Sequence, residues 1–156
     1  RKNGDVYILH PIRVALILIL EAGHKDTDSI CVALLHDVIE DTTISANEIN
    51  DKFGANILNL VENLSIKQKE PFADYMRRVY ESGEVTVLIK FCDRLDNARD
   101  MLLVAAGQPA FVKDQIAKIE TYFLPYSVKN LPYFEKELLY NISEAHKILD
   151  YGKHSG

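Results

Sequence analysis

Apolar residues recur along this chain at three- and four-residue intervals, the spacing of one buried helix face. Pro11 is a good first helical residue, so the pattern predicts a helix over Ile12 to Ala22 with Gly23 as its stop. Asp26 or Asp28 can cap a second helix running from Ser29 to about Ile39, with Ile30, Ala33, Leu34 and Val38 on its apolar side. Ser45 and Glu48 have the spacing of a capping box, which predicts a short helix to about Phe53, stopped at Gly54. Another short helix covers roughly Asn56 to Leu64, and Pro71 opens one that runs to about Glu81 and ends near Gly83. Val85-Thr86-Val87 alone favours a strand. The apolar pattern continues through Leu88, Phe91, Cys92, Leu95 and Leu102, however, so Glu84 to Ala106 reads as one long helix. Pro109 starts the next helix, to about Phe123, and a last one runs from Leu131 to about Leu149. No repeat, linker or low-complexity tract interrupts the pattern. The expectation is a single all-α domain over residues 1–150, with a frayed tail over 151–156.

Composition changes this picture little. The chain has 156 residues, enough for a real core, with 47% hydrophobic and 26% charged residues, as in ordinary globular proteins. The net charge of −5 supplies no global attraction to nucleic acid, so a phosphorylated ligand needs a local device such as a metal or a few placed cations. The apolar run Val14 to Leu20 is too short to span a bilayer and lacks a cleavage-type flank, so no membrane association is expected. Cys31 and Cys92 lie in apolar stretches, read as small buried residues, and fit a reducing cytoplasm. The chain begins with Arg1 and not Met, so the expectation is that it is trimmed, with residues missing upstream.

The candidate chemistry lies where a core argument would not place polar residues. The segment Ala33-Leu34-Leu35-His36-Asp37-Val38-Ile39-Glu40-Asp41 sets four ionisable groups in an apolar helix. Burying such groups without partners costs several kcal/mol, on the order of 2–7 for a polar group and more for a charge, and a divalent metal offsets that cost. Neighbouring helical residues point about 100° apart, so His36 and Asp37 can reach one ion, with Glu40 and Asp41 one turn further on. Asp93 lies among apolar residues of the long helix and offers a distant carboxylate, while His10 opens the first helix. Two imidazoles and two carboxylates without a thiolate suit Mn²⁺, Fe²⁺, Co²⁺ or Zn²⁺ with positions left for water and substrate. Such an ion acidifies water and polarises a phosphoryl oxygen.

The order and spacing of these pieces resemble the HD superfamily, and within it the hydrolase domain of the RelA/SpoT alarmone enzymes and the small stand-alone alarmone hydrolases. The matching segments are Arg1-Lys2-Asn3-Gly4-Asp5, Tyr7-Ile8-Leu9-His10-Pro11, Ala33 to Thr42, Phe53-Gly54, and Leu88 to Asn97, in family order over roughly the first 100 residues. A bare His-Asp pair is a weak signal. The H-D-x-x-E-D core with an upstream His-Pro and a downstream D-R-L-x-N is a strong one. The resemblance implies a helical bundle with one Mn²⁺ on His10, His36, Asp37 and Asp93. It implies water activation and proton handling by Glu40 and Asp41. It places Arg1 and Lys2 against the guanine base or nearby groups, and Asn97 in the nucleotide pocket. The implied reaction is release of the 3′-pyrophosphate from (p)ppGpp, giving GDP or GTP. Asp96 stands where the long alarmone enzymes usually carry His, and Asp100 where they often carry Thr, which makes the substrate less determined than the metal site.

The remaining polar residues divide between bland and sharp readings. Lys90 and Arg94, one turn apart, either contact phosphate or brace neighbouring acids. His24, His146 and His154 read as surface residues, and Arg77 and Arg78 as a solvated helix face from which one could reach an anionic substrate. The tyrosines from Tyr122 to Tyr151 read as core and interface filler, which either builds a homo-oligomer interface or covers the core. They lack the basic interleaving of a nucleic-acid platform. The rivals to an alarmone hydrolase are a phosphatase for another nucleotide, such as a nucleoside monophosphate or NADPH, and a nucleotide-sensing module without turnover.

Overall fold

The helical periodicity is realised through residues 6 and 8–151, which the structure, a computed structural model, describes; they contain no strand. The chain divides into two compact units, one over residues 7–93 and one that begins at Arg94.

The first unit contains α1 (Leu9–Leu16), α2 (Thr27–Leu35), α3 (Val38–Asp41), α4 (Ala46–Phe53), α5 (Ala55–Leu64), α6 (Phe72–Glu81) and the start of α7 (Glu84–Val104). α1 packs on α2, α2 on α5, and α5 on α4 and α6. Val14, Leu18, Val32, Val61, Met76, Val79 and Ile89 are fully buried here. Each such side chain stabilises the fold by roughly 1.5–3 kcal/mol relative to exposure. The predicted capping box is present: Glu48 N–H donates to Ser45 Oγ, and Ser45 N–H donates to the Glu48 carboxylate.

The boundaries differ from the sequence pattern at two places that matter. α1 begins at Leu9, so Pro11 is its third residue and His10 lies inside its first turn. Proline is tolerated there because N–H groups of the first turn have no intrahelical acceptor. The helix then widens into a π-helical segment, Ile17–Glu21, and Gly23 leaves it at φ +70°, with the His24 N–H bonded back to the Leu18 carbonyl. The second difference is an interruption. The helix expected from Ser29 to Ile39 is two helices, because α2, capped by Asp26, ends at Leu35 and α3 starts at Val38. His36 and Asp37 form the turn between them, and the Asp37 carbonyl accepts the N–H groups of Glu40 and Asp41. On an unbroken helix the two side chains would diverge by about 100°. The turn instead brings Asp37 Oδ1 within 3.1 Å of His36 Nε2.

The unit from Arg94 contains the rest of α7, then α8 (Pro109–Lys118), a π-helical segment (Ile119–Phe123), α9 (Leu124–Asn130) and α10 (Pro132–Tyr151), with α10 packed on α8 and α9. The sequence pattern ends one helix near Phe123 and starts the next at Leu131, yet residues 124–130 are helical, with Pro125 inside the first turn. Proline has no N–H to continue the ladder, and the π turn just before it is where the ladder shifts register, so the chain stays helical. Ile119, Phe123, Phe134, Leu138 and Ala145 are buried, whereas Tyr122 and Tyr126 are half-buried and Tyr133, Tyr140 and Tyr151 are exposed. The aromatic core here is therefore phenylalanine, and the tyrosines are not core filler. Cys92 is buried but Cys31 only half so, and both are free thiols. Tyr151 is still helical; the rest of the expected tail, with His154, lies outside the described residues. No helix among the described residues is long and apolar enough to cross a membrane.

Candidate metal centre

Four side chains of the first unit converge. His10 arrives from the first turn of α1, His36 and Asp37 from the turn between α2 and α3, and Asp93 from α7. His10, His36 and Asp93 are buried and each offers a ligand atom, all within 4.8 Å of one another. His10 Nε2 lies 3.1 Å from Asp93 Oδ1 and 3.5 Å from Asp37 Oδ2. His36 Nε2 lies 3.1 Å from Asp37 Oδ1 and 3.8 Å from Asp93 Oδ1. The two imidazoles meet edge to face with ring centroids 5.1 Å apart.

The arrangement fixes a tautomer. His36 Nδ1 sits 2.8 Å from the Ala33 carbonyl, and a carbonyl only accepts, so Nδ1 carries the hydrogen and donates it. In the neutral ring Nε2 is then a lone pair, while against burial Asp37 and Asp93 favour the protonated ring and raise the His36 pKa above its ordinary value. Nε2 is buried without a hydrogen-bond partner, although two carboxylates stand within 4 Å of it. A buried nitrogen lone pair facing carboxylates is unfavourable unless a proton or a metal cation lies between them. The donor set, two imidazoles with two carboxylates, is the chemistry of a divalent transition ion, and the residues present fit one.

Electrostatics around the cluster run the same way. Burial pushes the Asp37 carboxyl upward, but the two histidines outweigh it and hold it well below the usual carboxylate range. Burial likewise opposes ionisation of Asp93, and the Lys90 ammonium together with both imidazoles overrides it, so Asp93 is an anion. Lys90 Nζ contacts Asp93 Oδ2 at 2.7 Å and lies 5.1 Å from the centre of the buried Tyr75 ring. Of the two roles open to Lys90 from sequence, bracing an acid is the one whose contacts are visible.

Glu40 and Asp41 lie on α3 with exposed side chains. Glu40 Oε1 accepts the Ile66 N–H at 2.8 Å from the segment between α5 and α6. Although the residue as a whole is exposed, desolvation of its carboxyl end raises its pKa above the ordinary glutamate value, with repulsion from Asp37 and Asp41 adding to it. No contact places Asp41 as firmly.

The other residues singled out from sequence lie elsewhere. Arg94 is buried in the second unit, where Nη1 donates to Gln115 Oε1 at 2.8 Å and the guanidinium stacks on Phe123 at 4.8 Å. Asn97 is half-buried in that unit, as is Asp100, while Asp96 is buried. Arg1 and Lys2 lie outside the described residues. Arg77 is on the surface, paired with Asp74, but Arg78 is turned inward. His24 bonds Ser29 Oγ and is half-buried, and His146 is exposed. Sequence reading missed Tyr75 and set Arg78 on a solvated face, because their partners include backbone carbonyls that no residue pattern reveals.

The helical fold and this His-Asp cluster define a class: the chain belongs to the HD-domain family, which matches residues 1–119 and so reaches into both units. Among its relatives, the chain is 40% identical over 108 residues to the guanosine-3′,5′-bis(diphosphate) 3′-pyrophosphohydrolase of Aquifex aeolicus, a match covering 65% of this chain and 15% of that protein. It is 39% identical over 103 residues to the human guanosine-3′,5′-bis(diphosphate) 3′-pyrophosphohydrolase MESH1, covering 64% and 58%. The chain thus spans less than two thirds of the length of either relative. A solved metazoan ortholog of SpoT, described as hydrolysing ppGpp and acting in starvation responses, matches with a TM-score of 0.59 and 28% identity, covering 95% of this chain and 80% of that one.

Proposed function

We propose that this HD domain is a metal-dependent phosphohydrolase that removes the 3′-pyrophosphate from guanosine tetra- or pentaphosphate. One water is consumed, the bond between the 3′ oxygen and phosphorus breaks, and GDP or GTP leaves with pyrophosphate. The observation that carries the reading is the buried His36 Nε2, oriented by the Nδ1 bond to Ala33 and grouped with His10, Asp37 and Asp93. The nucleotide and the bond cleaved rest on what the relatives are named for.

A divalent cation bound there, Mn²⁺ in our reading, supplies Lewis-acid polarisation and a more acidic water. His10, His36, Asp37 and Asp93 hold it. Lys90 orients Asp93 and keeps it ionised. Glu40, held by the Ile66 N–H, accepts the proton of the attacking water, with a pKa raised above the ordinary glutamate value. Asp41 shares proton handling from the neighbouring position on α3. Arg1, Lys2 and Asn97 are our proposed contacts to the nucleotide, and Arg94 is a further candidate to balance phosphate charge. The two free cysteines suit a reducing cytoplasm. Turnover of ppGpp beside deoxynucleoside monophosphates and NADPH, each with Mn²⁺, tests the reading. Selective release of pyrophosphate from ppGpp supports it, and turnover of only the other substrates refutes it.

A further inference from the structure

Arg78 is the inward-facing member of a pair that sequence leaves on a solvated face. Its guanidinium has five N–H donors, and five acceptors surround it. Nε donates to Glu70 Oε1 at 3.0 Å and Nη2 to Glu70 Oε2 at 2.7 Å. Nη2 also donates to the Ser65 carbonyl at 2.9 Å. Nη1 donates to the carbonyls of Glu62 and Asn63 at 3.1 and 2.9 Å. No donor is left over for a phosphate, so Arg78 is not a substrate contact.

All these acceptors lie in one stretch, the last turn of α5 and the segment that follows it. The terminal carbonyls of a helix have no partner within the helix. Here Arg78 takes those of Glu62 and Asn63, and the Tyr75 hydroxyl, one turn earlier on α6, takes that of Leu64. The Glu70 carboxylate closes the far end by accepting the Lys67 N–H at 2.9 Å. The segment from Ser65 to Glu70 is thereby pinned at both ends by one fork. Lys69, at φ +63°, is the only described non-glycine residue in the left-handed region, so the segment holds a conformation that its sequence alone would not favour. Between the pinned ends lies Ile66, whose N–H holds the Glu40 carboxylate.

We infer that Arg78 is a positioning residue for Glu40, acting through the Ser65–Glu70 segment and the Ile66 N–H. The inference rests on the assignment of Glu40 as the base. Arg78 touches none of His10, His36, Asp37 or Asp93 in any contact seen here, so its effect belongs to turnover and not to metal loading. A displacement of about 1 Å in a reacting group lowers rates by up to about 100-fold.

The test compares Arg78→Ala, Arg78→Lys and Glu40→Gln with the unaltered chain. Three readouts are kcat and KM for ppGpp with Mn²⁺, Mn²⁺ affinity by titration calorimetry, and site-resolved amide exchange. For Arg78→Ala the expected result is a kcat lowered at least about tenfold, with KM and Mn²⁺ Kd within about threefold of the unaltered values. The Ile66 amide exchanges faster while amides of α7 keep their protection. Lysine retains charge but not the fork, so Arg78→Lys recovers little. If Arg78→Ala does not fold, Glu70→Gln loosens the same fork and is read by the same measurements. An unchanged kcat, or a Mn²⁺ affinity that falls in parallel with kcat, overturns the inference. The two assignments fail differently: unimpaired Glu40→Gln removes the base and the inference together, whereas impaired Glu40→Gln beside active Arg78→Ala removes only the inference.

Discussion

At the scale of the residue, the proposed site depends on side chains whose surroundings set their charge. Asp93 is buried and would resist ionisation, but Lys90 at 2.7 Å keeps it anionic and so available to a cation. Glu40 sits apart from that cluster on a backbone N–H, with a pKa raised by desolvation of its carboxyl end. Glu40→Gln is therefore expected to lower kcat by about 10²- to 10⁴-fold while leaving Mn²⁺ affinity unchanged, measured by steady-state kinetics and calorimetry. Glu70 permits a pH prediction away from the centre. Its bond to Arg78 lowers its pKa from the ordinary 4.5 to about 2. A carboxylate with a lowered folded-state pKa stabilises the fold above its unfolded value, and that contribution is lost as pH falls through the folded one. Stability of the unaltered chain should decline between about pH 4.5 and pH 2 more steeply than that of Glu70→Gln. Urea unfolding at several pH values checks this, and parallel curves would contradict it.

At the scale of the element, what the sequence discloses depends on how local the physics is. The Ser45–Glu48 box and the Gly54 stop were legible because cap and partner lie within one turn of each other. Ser45→Ala should cost about 1 kcal/mol in denaturant unfolding with activity retained, since this cap is remote from the cluster's contacts. His10, His36, Asp37 and Asp93 were legible as candidates because ionisable groups stand out in apolar helices. Their geometry was not. The break between α2 and α3 is a two-residue turn inside an apolar run, and periodicity reads through it. The helix over 124–130 lay outside the predicted ones, and it follows a π turn with Pro125 in its first turn, where no intrahelical N–H is needed. Arg78 looked like a surface residue because its partners are carbonyls 13 to 16 positions away in sequence, which carry no residue signature.

At the scale of the whole molecule, a metal held by the buried cluster would tie its binding to folding. His10, His36 and Asp93 come from segments separated by most of the first unit, so an ion that engages them together favours the folded chain. Mn²⁺ at about 100 times its Kd should add about 2.7 kcal/mol of stability, reversed by a chelator and absent in Asp93→Ala, as seen in thermal or urea unfolding. The family match shows an HD domain, and the proposed reaction follows from joining that fold to this cluster and to the relatives' named activity. The most direct test of that claim is product analysis of purified protein incubated with ppGpp and Mn²⁺. The account predicts GDP and pyrophosphate in equal amounts, with neither formed when a chelator is present or His36 is replaced by alanine. Intact ppGpp after prolonged incubation with metal, or release of single phosphates in place of pyrophosphate, would contradict it.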